Sequence, residues 1–272
     1  MKIEFKNSRE IRAAKFVGEK LPFLRANFVQ KLFRKREIKI AKVPQKIDSK
    51  IPANSTVEIF LPDPRRFFTE LTGNSIISED KNVIAFAKRA GLATHAGVGT
   101  RGDDLRSCAE ILLNLKLIVV HRIDRATSGV VIFAKNSTAA RKFENAFRER
   151  KVFKKYFAVV SGIPKTASGE INFPLKKVGQ KMEIVERGLA AQTFWKVAKR
   201  GKNSALLEVE ITTGRTHQIR VHLAAVGLPV VGDPIYSGRA VAGGSRMFLH
   251  SAELKILEYN FQAETPEEFG QF

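Results

Sequence analysis

Two short stretches hold most of the residues able to do chemistry. The first is HRIDRATSG, residues 121–129, where His121, Arg122, Asp124, Arg125, Thr127 and Ser128 crowd into one connection between the apolar runs LIVV (117–120) and VVIFA (130–134). A plain hairpin needs only about two to five residues, and loops held by rigid strands are where function concentrates. Two arginines around a lone aspartate favour its charged form, and such a carboxylate can act as a nucleophile. An Asp–Arg salt bridge followed by a Thr-Ser-Gly turn explains the same residues equally well at this point.

The second stretch is TGRTHQIRVH, residues 213–222. The pattern predicts a strand ending at Gly214 and a helix over 215–226, with Arg215, Thr216 and His217 in its first turn. Ile219, Leu223 and Val226 fall at helical spacing, and Arg220 shares a face with His217. An arginine beside a buried stripe needs a carboxylate partner, and Asp124 is the obvious one. A basic helix start that is solvated or holds phosphate is the other reading, which the helix dipole does not favour. In KKYFAVVSG (154–162), strand alternation puts Lys154, Tyr156 and Ala158 on one face and Phe157 and Val159 on the other. Tyr156 is thus expected opposite the apolar side, and an ordinary half-exposed strand tyrosine fits as well as a functional one.

Metal and nucleotide chemistry find little support. His217 and His222 are five apart and do not converge on one helix face, and no CxxC or HExxH spacing occurs. No metal site is expected. Cys108, the single cysteine, is most simply a core residue. In GVGTRGDD (97–104) the glycines Gly97, Gly99 and Gly102 fall at the wrong intervals for a phosphate-binding loop.

The elements that must hold these stretches alternate strand and helix irregularly. Beyond residue 76 the periodicity predicts strands at 83–87, 117–120, 130–134, 154–160 and 205–211, with helices at 103–115 and 137–150. Asn136 or Ser137 can cap the latter, whose stripe is Ala139, Ala140, Phe143, Ala146 and Phe147. The fold class expected is α+β: a mixed, mainly antiparallel sheet with flanking helices, preceded by a small N-terminal α/β module. That module covers 1–62, with helices at 9–20 and 25–36 and strands at 37–41 and 56–61. Pro62, Pro64, Gly73 and Asn74 mark a linker over 63–75, and the larger domain is 76–272. The second helix of the module carries a cationic strip of Arg25, Lys31, Arg34, Lys35 and Arg36.

Composition narrows the partner. Of 272 residues 47 are Lys or Arg and 27 Asp or Glu, a net charge of +20, while hydrophobic residues reach 44%, enough for a buried core. Such an excess is unusual for an enzyme of small metabolites and points to nucleic acid first, an anionic membrane second. One cysteine excludes a disulfide framework and suits a reducing compartment. No apolar run has the length of a membrane span, and the charged start MKIEFKNSREIRAAK lacks a signal-peptide core. A cytoplasmic monomer without membrane association is expected.

HRIDRATSGVVIFAK (121–135), KKYFAVVSG (154–162), TGRTHQIRVHLAAVGLPVVGDPIYS (213–237) and RMFLHSAEL (246–254) together resemble the pseudouridine synthases of the RluA type, in order and spacing, over nearly all of 76–272. VIAFAKRAGLATHAG (83–97) resembles that family's opening strand and turn, with Arg89 where a proline is usual. RAAKFVGEKLP (12–22) followed by FVQKLFRKREIKI (28–40) is similar to the small alpha-L RNA-binding module, with Ala14 where an acidic residue is frequent. The resemblance implies an isomerase that detaches uracil from its ribose, turns it and rejoins it through carbon 5, with no cofactor and no redox change. It implies that Asp124 is the catalytic aspartate, attacking the sugar or the base, that Arg220 pairs with it, and that Tyr156 packs on the target base. It further implies that Arg122 enters the RNA stack vacated by the flipped uridine. His121, Arg125, Arg215 and His217 are expected to bind RNA alongside it, with Arg25, Arg34, Lys35 and Arg36 on the N-terminal module.

Base chemistry on RNA fits these residue types. Extrusion costs a few kcal/mol, a guanidinium plane can fill the gap, and an aromatic ring can hold the flipped base. A non-catalytic RNA-binding or ribosome-assembly protein would share the charge but has no use for an aspartate amid arginines. A glycosidase would employ two carboxylates. Large-subunit ribosomal RNA is the favoured target and transfer RNA the second.

Overall fold

The computed structural model describes residues 2–22, 24, 26–61, 74–97, 104–179, 181–236 and 246–272. Arg25, residues 63–73 of the expected linker, and Gly99 and Gly102 lie outside them. The chain groups into two compact units, 1–75 with 95–117, and 76–94 with 118–272. Residues 95–117 fall inside the stretch that the sequence assigns to the catalytic domain, yet they group with the first unit.

In the first unit the elements run β1 (Lys2–Lys6), β2 (Ile11–Arg12), α1 (Ala13–Lys20), α2 (Ala26–Arg34), β3 (Ile38–Ile40), β4 (Val43–Pro44), β5 (Lys50–Ile51), β6 (Thr56–Phe60) and α3 (Leu105–Leu113). Strands β1, β6, β3 and β4 form one sheet in that order. β1 is a strand the sequence pattern did not predict, although Ile3 and Phe5 alternate with charges in KIEFK. The helices are shorter than expected and bury Phe16 and Val17 from α1, and Val29, Leu32 and Phe33 from α2. α3 begins where the Asp104 carboxylate accepts the Ser107 N–H, and Cys108 is buried on its inner face.

The second unit comprises β7 (Ser75–Glu79), β8 (Val83–Lys88), β9 (Ile118–Val119), β10 (Ser128–Ala134), α4 (Ser137–Arg148), β11 (Val152–Ser161), β12 (Ser168–Ile171), β13 (Leu175–Val178), β14 (Lys181–Ile184), β15 (Thr193–Arg200), β16 (Ser204–Ile211), α5 (Gln218–Ala225), β17 (Leu249–Ile256), β18 (Tyr259–Gln262) and a closing 3-10 helix (Glu267–Gln271). One large sheet has the order β12-β15-β16-β11-β17-β10-β8-β7, with β18 on β17 and β9 on β10. β10 and β17 run parallel, whereas β8/β10, β11/β16, β11/β17 and β15/β16 are antiparallel. The mixed α+β class with a mainly antiparallel sheet is therefore observed. β13 and β14 form a separate hairpin.

Two cores cover the sheet. α4, capped by the Asn136 carbonyl accepting the Ala139 N–H at 2.8 Å, presses Ala139, Ala140, Phe143 and Ala146 onto Val83, Ala85, Val130 and Ile132. Ile219 and Leu223 of α5 pack on Ala158, Val160, Leu207 and Val209. Val226, expected to extend that stripe, is instead exposed and ends the helix. Tyr156 also departs from expectation. It belongs to the α5 core and is only 9% exposed, because β11 lies mid-sheet with apolar cover on both faces. No helix among the described residues is long and apolar enough to cross a membrane.

Candidate active site

The loop between β9 and β10 is clamped from below. The Thr94 hydroxyl donates to Ile123 O at 3.0 Å and accepts the Ile123 N–H at 3.3 Å. Lys88, 1% exposed at the end of β8, places its Nζ 2.6 Å from Thr127 O, 2.7 Å from Leu92 O, 3.0 Å from Arg89 O and 3.3 Å from Arg125 O. Burial pushes its ammonium down to about 7, against the pull of Asp124. Arg89 thus sits in a well-formed turn despite replacing the usual proline. The loop then tightens, with Thr127 N–H donating to Asp124 O at 3.0 Å. Gly129 follows at φ +109°, against the backbone of Ser251, where any Cβ would overlap the Ser251 carbonyl. Only glycine lets β10 meet β17 there.

Asp124 emerges from this frame with its side chain 19% exposed. Arg220 Nη1 donates to its Oδ2 at 3.1 Å. Arg220 itself is 3% exposed and is held by a second carboxylate that the sequence pattern did not single out. Its Nε donates to Asp233 Oδ2 at 2.6 Å and its Nη2 to Asp233 Oδ1 at 2.9 Å. Asp233, fully buried, also accepts the backbone N–H of Ile235 and Tyr236. Burial opposes charge on both partners. The bonds to Asp233 outweigh it for Arg220, whose guanidinium is raised above its ordinary value. The bonds from Arg220 and the two amides outweigh it for Asp233, whose carboxyl is lowered. A fork-shaped guanidinium suits this bidentate grip. Among the described residues no donor reaches Asp124 Oδ1.

α5 starts later than its sequence predicts, at Gln218, and Arg215–His217 are not helical. The reason is the Gln218 side chain, whose Oε1 accepts from Arg215 N–H at 3.0 Å and from the Thr213 hydroxyl at 2.7 Å. His217 takes φ 53° and approaches Asp124 Oδ2 with Nε2 at 3.8 Å.

A small cleft, open to solvent, lies over Asp124. Arg122, Tyr156, Arg215, His217, Arg220 and Leu249 line it with Asp124. Burial pushes the Tyr156 phenol up to about 12, so it stays protonated. Arg122 is exposed and makes no hydrogen bond or ion pair among the described residues.

Other expected site residues are placed elsewhere. His121 does not line the cleft. Its Nε2 accepts the Ile132 N–H at 2.9 Å and its ring stacks on Phe147, centroids 5.1 Å apart, while burial drives it down to about 3. It is a neutral brace for β10. Arg125 donates from Nε to Gly91 O at 2.8 Å and closes the clamp. Arg34, Lys35 and Arg36 are exposed on the first unit, beside a groove lined by Phe33, Ile47 and Lys46. His222 is buried between Thr193 Oγ1 and Phe173 O. Among the described residues no three His, Cys, Asp or Glu side chains converge as metal ligands.

The RNA pseudouridylate synthase family model matches residues 82–225. Two proteins named ribosomal large subunit pseudouridine synthase C are similar over most of the chain. The one from Rickettsia conorii is 33% identical over 93% of this chain and 91% of its own length. The one from Vibrio parahaemolyticus is 30% identical over 90% and 84%. Among solved structures, human RNA pseudouridylate synthase domain containing 4 superposes with a TM-score of 0.61 at 27% identity, covering 76% of this chain and 94% of that one. With that family model matching more than half of the chain, and relatives 30–33% identical over most of both chains, the chain belongs to the RNA pseudouridylate synthase family.

Proposed function

We propose that this enzyme isomerises uridine in large-subunit ribosomal RNA, with Asp124 as the reacting carboxylate. The observation that carries the reading is the division of labour at Asp124. Its Oδ2 is engaged by Arg220, no donor among the described residues reaches Oδ1, and the residue lines a cleft with Tyr156 and Arg122. The N1–C1′ bond breaks, the uracil turns, and a C5–C1′ bond forms. Carbon 5 loses its proton and N1 gains one, so no oxidant or reductant is required. Arg220 supplies the positive partner that holds Asp124 Oδ2. Tyr156 offers a flat apolar surface for the extruded base, and the free Arg122 guanidinium can occupy the vacated stack.

The ribosomal target is supported by the names of the Rickettsia and Vibrio relatives. We read residues 1–62 as an RNA-binding module of the alpha-L type, because Arg34, Lys35 and Arg36 are exposed cations at a groove that Lys46 also lines. A net charge of +20 adds sequence-independent affinity through counterion release.

The test uses RNA labelled with tritium at carbon 5 of uridine, since isomerisation releases that label. Release is expected from large-subunit ribosomal RNA and not from transfer RNA, and it should disappear in Asp124→Ala while RNA binding persists. Release from transfer RNA alone would overturn the target. An abasic product, or wild-type release by Asp124→Ala, would overturn the chemistry.

A further inference from the structure

His217 is held more firmly than a simple RNA contact requires. Its backbone lies at φ 53°, ψ 17°, a left-handed conformation costly for a side chain of this size. Its ring stands edge-on to Tyr236, centroids 5.6 Å apart at 78°, and its Nδ1 lies 2.9 Å from Tyr236 Oη. That hydroxyl already accepts the Met182 N–H of β14 at 3.0 Å. Its own hydrogen is therefore free to donate to Nδ1, which puts the imidazole proton on Nε2. The opposite tautomer would aim a lone pair at the carboxylate of Asp124. The tyrosine ring is fixed in turn by the Arg220 guanidinium, 5.2 Å from its centroid.

We propose that His217, locked by Tyr236, is a positioning residue of the isomerisation: its Nε2–H and the Arg220 Nη1–H both engage Asp124 Oδ2 and so commit Oδ1 to the flipped nucleotide. The proposal rests on Asp124 being the reacting group. The 3.8 Å separation from Nε2 to Oδ2 is longer than a hydrogen bond, and contacts of this kind tighten when substrate fills the site.

The groups facing His217 are Asp124 and Arg122 from the catalytic loop, Arg220 from α5, and Asp233 and Tyr236 from the turn beyond it. Burial lowers the imidazole below its ordinary range, while Asp124 pulls the other way. The neutral donor is thus the form present at neutral pH. Acidification converts it to a cation that pairs with Asp124 and dulls its reactivity, giving kcat an acid limb that belongs to His217.

Two substitutions separate this role from a backbone one. In His217→Gln the amide nitrogen falls near the position of Nε2, whereas in His217→Asn it falls near Nδ1. Left-handed tolerance ranks Asn above Gln, so a purely structural role favours Asn. The positioning role favours Gln, which should hold kcat for label release within about threefold and lose the acid limb. Asn should lower kcat about tenfold with RNA affinity unchanged. Tyr236→Phe keeps the ring and frees the tautomer, and should lower kcat severalfold with only a small loss of melting temperature from the missing Met182 bond. Asn matching or exceeding Gln, or an unaltered acid limb in Gln, would overturn the proposal while leaving wild-type label release intact. No label release by the wild type would overturn the reading of Asp124 and this proposal with it.

Discussion

Asp233→Asn is the sharpest probe of how the site is built. The substitution keeps the side-chain shape and removes one charge. In the native protein Arg220 sits between two carboxylates, gripped by both Asp233 oxygens at 2.6 and 2.9 Å and touching Asp124 at 3.1 Å. Asparagine can accept only one of the two guanidinium bonds, because its amide nitrogen meets an arginine N–H donor to donor. The buried arginine loses its main counter-charge, and breaking such a pair costs about 3 kcal/mol, within a range of roughly 2–5. For a unit of this size that is a melting-point loss of about 6–12 °C. The sign with pH follows from the lowered Asp233 carboxyl. Its stabilisation is present above the ordinary carboxylate value and is lost as pH falls through the depressed native one. The stability gap between wild type and variant should therefore be full at pH 7 and close only below about pH 4. Turnover should fall about ten- to hundredfold, since Arg220 no longer holds Asp124 Oδ2 in place. Calorimetric melts across pH and single-turnover label release measure both. A variant that melts within 2 °C of wild type, by the same conversion less than about 1 kcal/mol, would refute the doubly anchored arginine.

Asp124→Ala should bind labelled RNA as the wild type does while its label release drops by at least about a thousandfold, read by filter binding beside the tritium assay. Lys88→Met leaves the carbonyls of Leu92 and Thr127 buried without a donor and should cost roughly 2–4 kcal/mol in denaturant melts. Gly129→Ala drives a Cβ into the Ser251 carbonyl at a positive φ and should lose more than about 3 kcal/mol or fail to accumulate as folded protein. Raising salt from about 50 to 200 mM should weaken RNA binding by two to five orders of magnitude if several phosphates are contacted, and a flat response would remove the counterion argument.

What could be read from sequence tracks how local each signal is. Strands 83–88 and 128–134 and helix 137–148 announce themselves because their apolar spacing and the Asn136 cap lie within a dozen residues. The partnership of Asp124 with Arg220 was legible despite a separation of 96 positions, because a buried arginine has few chemical options. The same reasoning stopped one carboxylate short. Asp233 reaches Arg220 by a turn after α5, and nothing in GDPIYS marks that turn as facing inward. Tyr156 was misplaced because alternation distinguishes faces only when one face is wet, and β11 is covered on both. Arg215–His217 were read as helical because the competing interaction comes from a side chain, Gln218, whose carbonyl takes the Arg215 N–H.

These three misses share a location: Tyr156 and the pre-helical turn line the cleft over Asp124, and Asp233 anchors the Arg220 that binds Asp124 Oδ2. If Asp124 had been fixed by neighbours in its own loop, its partners would have had to come from residues 121–129, and the cleft side would have been filled by them. Instead the loop is clamped from beneath by Lys88 and Thr94, and charge compensation arrives from α5 on the far wall. Among the described residues that leaves Oδ1 without a donor. The stability of the site thus resides in Lys88, Gly129 and Asp233, and the reactivity we propose for it in Asp124 and the groups that line the cleft. Substitutions in the first set should cost melting temperature and turnover together, whereas Arg122→Ala, which breaks no contact among the described residues, should cost turnover alone.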